Sequence, residues 1–100
     1  MKGTIIVEGT FNEGYEKYFE EYSLKIQAFL KQHNAITIRR QLILETLYGT
    51  DKPNLIMVID FENSEVAKTV FFEKEYLSII PLREKVFKTF KMYLASHGNV

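Results

Sequence analysis

KPNLIMVIDFENSEVAKTVFFEKEYLSIIPLR, from Lys52 to Arg83, holds a strand, a helix start and a polar signature in one run. Leu55 to Ile59 is apolar at every position, which predicts a strand covered on both faces and therefore central in its sheet. Because side chains alternate along a strand, Leu55, Met57, Ile59 and Phe61 share one face and Ile56, Val58 and Asp60 the other. Asn63 follows as a cap for a helix bearing Val66, Ala67, Val70 and Phe71. A second helical piece starts at Glu75. Pro81 has no amide hydrogen for the carbonyl four residues back, so it is expected to break that piece and open a new turn.

Upstream of this run, Thr4 to Thr10 carries Ile5, Ile6 and Val7 and reads as a strand, closed by Gly9 and Asn12-Glu13-Gly14. Asn12 is the expected N-cap of the helix that follows. In that helix Tyr15, Tyr18, Phe19, Tyr22, Ile26, Phe29 and Leu30 fall on one face, and Glu16, Lys17, Glu20, Lys25, Gln27 and Lys31 on the other. Core packing accounts for this aromatic spacing. Asn34 suits the left-handed residue that ends a helix, and His33 before it favours the helix dipole. Ala35 to Leu47, rich in Ile, Thr and Leu, predicts a long strand interrupted by Arg39 and Arg40. Tyr48 to Pro53 has the residues of a hairpin loop, so the second and third strands should pair antiparallel. Downstream, Phe87 to Ala95 reads as a strand with Phe90, Met92 and Leu94 on one side. The order is βαββαβ.

The chain has 100 residues, which predicts one domain over 1–100, too small to carry a deep cleft of its own, so a concave site is expected between subunits. Thirteen basic and thirteen acidic residues balance, which argues against nucleic acid and anionic membranes as partners. With no cysteine and only His33 and His97, thiolate chemistry is excluded and no metal or cofactor is expected. No apolar run approaches the roughly 18 residues that span a bilayer, and the N-terminus MKGTIIVEGT lacks a signal-like apolar core. A soluble, cytoplasmic protein is expected, with only Ser96 to Val100 dispensable. Phosphate loops, dinucleotide glycine fingerprints and nucleophile elbows are absent from the sequence.

The element order, with Asp60-Phe61 at a strand end, Asn63 and Glu65 at a helix start, then Glu75-Tyr76 and Leu82-Arg83, resembles domain of unknown function 1330. The resemblance implies an α+β, ferredoxin-like fold with an antiparallel four-stranded sheet, of the dimeric α+β barrel type. It also implies that Tyr76 and Arg83 border a pocket, where an arginine would orient a carboxylate or enolate. Phe71, Glu73-Lys74, Asn34-Ala35 and Pro81 depart from the family pattern.

In such a fold the helices cover one sheet face, and Ile6, Ile56 and Val58 are expected on the bare one, so two copies would bury them in a homodimer. Asp60 should point away from the helices, with Glu8, Lys91 and Tyr93 on its side. Those groups would serve proton transfer, or they would pair as sheet-end ion pairs. Three functions are compatible with the sequence. The first is binding of a small, partly apolar organic molecule, with Tyr76, Arg83, Asp60 and Glu75 as candidate ligand-binding residues. The second is a cofactor-free isomerase or monooxygenase, and the third a structural or regulatory dimer with a filled interior.

Overall fold

A computed structural model describes residues 2–96; His97 and the rest of the C-terminal stretch lie outside them. The elements run β1 (Gly3–Phe11), α1 (Glu16–Gln32), β2 (Ile36–Leu42), β3 (Leu55–Phe61), α2 (Ser64–Thr69), a 3-10 turn (Val70–Phe72), α3 (Lys74–Leu77), α4 (Ile80–Val86) and β4 (Phe87–Ala95). The four strands order as β2-β3-β1-β4 with every neighbouring pair antiparallel. This is the ferredoxin-like α+β arrangement, and β3 is an interior strand as its unbroken apolarity requires.

Local chemistry sets the boundaries. The Asn63 side-chain oxygen accepts from the amides of Glu65 at 2.7 Å and Val66 at 3.4 Å, satisfying two orphan donors at the start of α2. Asn34 is left-handed (φ 55°), which lets the Ala35 amide donate back to the Leu30 carbonyl at 2.9 Å and end α1. Pro81 sits in the first turn of α4, where a missing amide hydrogen costs nothing.

Two boundaries differ from expectation. Asn12 does not cap α1: its side-chain amide donates to the carbonyls of Glu84 at 2.8 Å and Lys85 at 3.3 Å, tying the end of β1 to the last turn of α4. The end of α4 lacks intrahelical donors, and Asn12 supplies one from outside. The second strand ends at Leu42, not Leu47. Beyond the Ile43 amide's bond to the Asn54 carbonyl, the Asn54 amide turns to the Gly9 carbonyl at 2.8 Å, so residues 44–47 have no strand to pair with.

Ile5, Val7, Leu55, Ile59 and Phe61 point to the helices and pack against Tyr22, Phe29, Leu30, Ala67, Val70, Tyr76, Ile79 and Val86. Opposite lie Ile6, Ile56, Val58 and Asp60, all partly exposed, with Tyr93 half-exposed beside Ile6. Edge strand β2 is exposed at all seven residues. Among the described residues no helix buries it, and that sets the position of the site.

Candidate ligand-binding cleft

On its inner face α1 turns Phe19, Tyr22, Ile26 and Leu30 toward the sheet, and β3 turns Leu55 and Met57 toward the helix. With nothing packed over β2, these side chains leave a cleft of about 190 Å³ between α1 and the β2–β3 edge, which Thr37 and Arg40 complete from β2. Ser23 and Gln27 lie on its helix side, joined by a 3.0 Å hydrogen bond from Gln27 Nε2 to Ser23 Oγ. The sequence favours a concave site between subunits; a single chain also forms one. One chain forms a cleft because the single helical layer does not cover all four strands, and edge strand β2 is left exposed.

Arg40 owes its place to a bulge. The β2–β3 register passes from Thr37 opposite Ile59 to Arg39 opposite Val58 and Arg40 opposite Met57, so Ile38 is the extra residue. Unbroken alternation from Thr37 puts Arg39 on the helix side and Arg40 on the bare side. With the extra residue the two exchange. The Arg40 guanidinium lies over the Phe19 ring, 5.2 Å from its centroid, at the junction of the cleft with an outer lobe walled by Phe11, Tyr15 and Leu42 and edged by Glu16 and Glu20. Among the described residues Arg40 makes no ion pair.

Beside Tyr22 lies a part-buried polar pair. Arg83 Nη1 donates to Tyr76 Oη at 3.0 Å, and the guanidinium lies 4.7 Å from the Phe90 centroid and 5.8 Å from that of Tyr76. Burial pushes the Tyr22 phenol far above its ordinary value; Tyr76 adds to the rise and Arg83 opposes it. Tyr76, 2 % exposed, is likewise raised by burial against the opposing hydrogen bond and charge of Arg83. Both therefore stay protonated through the neutral range.

The structure brings together two of the four residues read from the sequence. Tyr76 and Arg83 meet, but they stand behind Tyr22 and are not among the residues lining the cleft. Glu75 is exposed and accepts from Gln32 Nε2 at 3.1 Å, tying α3 to the end of α1. Asp60 lies on the bare face, where its carboxylate accepts from Thr4 Oγ1 at 2.7 Å. The sheet separates it from Tyr76 and Arg83, so the four do not form one site. Glu8 and Lys91 pair on Asp60's face at 3.9 Å. His33 packs on Phe29 with its Nε2 buried 3.7 Å from Glu73. Arg40, Phe19 and Tyr22 are the site residues that sequence reasoning missed. The signal for Arg40 was its interruption of an apolar strand. No group of three or more metal-ligating side chains and no helix long and apolar enough to cross a membrane occurs among the described residues.

Comparison with known proteins agrees with the fold. The sequence profile of the family described as Domain of unknown function (DUF1330) matches residues 3–96. No curated protein matches the sequence. A protein of unknown function from Rhodopseudomonas palustris superposes with a TM-score of 0.81 at 4 % identity, covering 99 % of this chain and 84 % of that one. A dimeric protein of unknown function with a ferredoxin-like fold from Bacteroides fragilis gives 0.64 at 10 % identity, covering 96 % of each. SnoaB, a cofactor-independent oxygenase from Streptomyces nogalater, gives 0.60 at 14 % identity, covering 99 % of this chain and 95 % of that one. At these identities the likeness is one of fold.

Proposed function

The chain belongs to the DUF1330 family, and we propose that it is a self-associating ferredoxin-like protein that binds a small, largely apolar organic molecule in the cleft between α1 and the β2–β3 edge. The cleft itself supports this most directly. It offers about 190 Å³ walled by Phe19, Tyr22, Ile26, Leu30, Leu55 and Met57, with a few polar groups from α1 and β2. An apolar cavity of about 150 Å³ holds benzene, so one aromatic ring or a short alkyl chain fits.

Self-association rests on the bare sheet face. Ile6, Ile56, Val58 and Tyr93 form its partly exposed centre, and Glu8, Asp60, Lys91 and Arg39 stand around them, two acids and two bases. Balanced charge around an apolar centre suits a second copy of the same surface. The alternative, a cofactor-free isomerase or monooxygenase, needs a base at the reacting atom. The residues lining the cleft include no carboxylate or imidazole, and the Tyr22 phenol keeps its proton, so binding is the better-supported reading.

Thr37 is exposed on the edge strand, so Thr37→Trp fills the cleft mouth without disturbing the core. Ligand-observed NMR with a panel of one-ring and short-chain compounds should find binders to the wild type that Thr37→Trp loses. Binding that ignores the substitution would refute the cleft. For assembly, light scattering should give twice the 11.8 kDa chain mass for the wild type and a monomer for Val58→Lys. A wild-type monomer at micromolar concentration would refute the interface.

A further inference from the structure

We propose that the cleft selects organic monocarboxylates, with Arg40 binding the carboxylate and the apolar body lying inward against Ile26, Leu30 and Met57; this rests on the binding reading above. Several independent observations converge on Arg40. It is the one charged residue lining the inner cleft, and it also lines the outer lobe, so it stands at their junction. Its guanidinium is a cation and has no carboxylate partner among the described residues. Its guanidinium is held over Phe19, which occupies the ring face and leaves N–H donors at the guanidinium edge for a planar, two-oxygen acceptor.

The surroundings fix the direction and the charge of the ligand. Glu16 and Glu20 edge the outer lobe, so a second acidic group placed there meets like charge. Inward, the remaining polar groups are the neutral Ser23, Gln27, Thr37 and Tyr22, with Tyr22 kept protonated by burial. A charge buried at that end would lack a counter-ion. The arrangement therefore fits one acid head at Arg40 and an uncharged body of about one ring or a chain of similar length. Dicarboxylates and amines are disfavoured, the first by Glu16 and Glu20 and the second by Arg40 itself.

The bulge supports the assignment independently of the contacts. A β-bulge at a sheet edge re-aims side chains, and this one brings Arg40 rather than Arg39 to the helix side. An arginine confined to the bare face would leave the cleft without a charge.

Isothermal titration of the full chain with phenylacetate, 2-phenylethanol and phenethylamine separates the possibilities, because the three share a body and differ in the head group. The wild type should bind phenylacetate about tenfold more tightly than 2-phenylethanol at low salt, with the gap narrowing at high salt, and phenethylamine should bind weakest. Arg40→Gln should bring phenylacetate to the affinity that the same variant has for 2-phenylethanol, and Arg40→Lys should keep part of the preference. Arg40 is exposed, so the fold is retained in both variants, as circular dichroism would verify. Equal affinity for acid and alcohol, or an undiminished preference in Arg40→Gln, overturns the carboxylate assignment and leaves the cleft intact. Loss of all binding in the wild type, or binding of all three that Thr37→Trp does not affect, overturns the cleft reading together with this one.

Discussion

Replacing Arg83 with Met while leaving Tyr76 in place should destabilise the protein more than replacing Tyr76 with Phe, and the two costs should not add. Arg83→Met keeps an apolar stem beside Phe90 but removes the guanidinium that lies 4.7 Å from that ring, a contact of about 0.5–1 kcal/mol at a half-exposed site. It also leaves the Tyr76 hydroxyl, on a residue only 2 % exposed, without the donor 3.0 Å away, which costs about 1–3 kcal/mol. The sum is about 1.5–4 kcal/mol, a shift of roughly 6 °C or more in the midpoint of a domain this size. Tyr76→Phe removes only the acceptor, and the freed N–H reaches water because Arg83 is half-exposed, so the loss is about 1 kcal/mol. Once the hydroxyl is gone, Arg83→Met no longer strands it. The double variant should therefore be more stable than the sum of the single losses by about 1–2 kcal/mol. Urea unfolding of the four proteins at one protomer concentration and neutral pH, read as midpoints at constant slope, measures this coupling. A coupling within about 0.5 kcal/mol of zero would refute the claim that the pair acts as a unit. Because neither residue lines the cleft, any ligand affinity should survive both substitutions while the chain stays folded.

Alkali should unfold the protein through its buried phenols. Burial raises the Tyr22 and Tyr76 values in the folded state, so above pH 10 the unfolded chain releases protons that the folded chain retains. The stabilisation from these groups is complete below about pH 10 and falls above it, by up to about 1.4 kcal/mol per pH unit for each phenol; urea midpoints from pH 9 to 11 should show a shallower decline in Tyr22→Phe. Gly9→Ala should cost about 1–3 kcal/mol, since its Cβ would lie 2.7 and 2.8 Å from ring carbons of Phe87, and thermal unfolding should show Phe87→Leu in the same chain recovering part of the loss. Asn63→Ala should cost about 1 kcal/mol by uncapping α2, measurable as a drop in urea midpoint, while Asn63→Asp should retain most of the stability.

Much of the fold was legible because local chemistry decided it. The apolar run of β3, the left-handed Asn34, the capping Asn63 and the helix-opening Pro81 each act within a few residues, and each stands where the sequence places it. What was not legible depends on partners distant in the chain. Asn12 looks like a helix cap until the unsatisfied carbonyls of Glu84 and Lys85 are brought beside it. Leu44 and Leu47 have strand-forming chemistry, but β3 begins only at Leu55 and Asn54 already bonds to β1. For the site, the strand alternation that placed Asp60 away from the helices also separates it from Tyr76 and Arg83, which act from the helix side. Arg40 escaped for the opposite reason. Simple alternation puts it on the wrong face, and the bulge that re-aims it carries no glycine to mark it.

That single extra residue divides the work of two adjacent arginines. Arg39, opposite Val58, joins Glu8, Asp60 and Lys91 around the apolar centre of the bare face, where it adds a positive charge beside two acids. Arg40, opposite Met57, faces the cleft, where no acidic residue lines the inner wall. A strand without the bulge would exchange the two side chains, shifting the same charges by one position along β2 and altering the fit on both faces at once. The overall charge would still be zero and the composition nearly unchanged. Composition therefore carries little information about which charge faces the cleft, and the register of one exposed edge strand carries most of it.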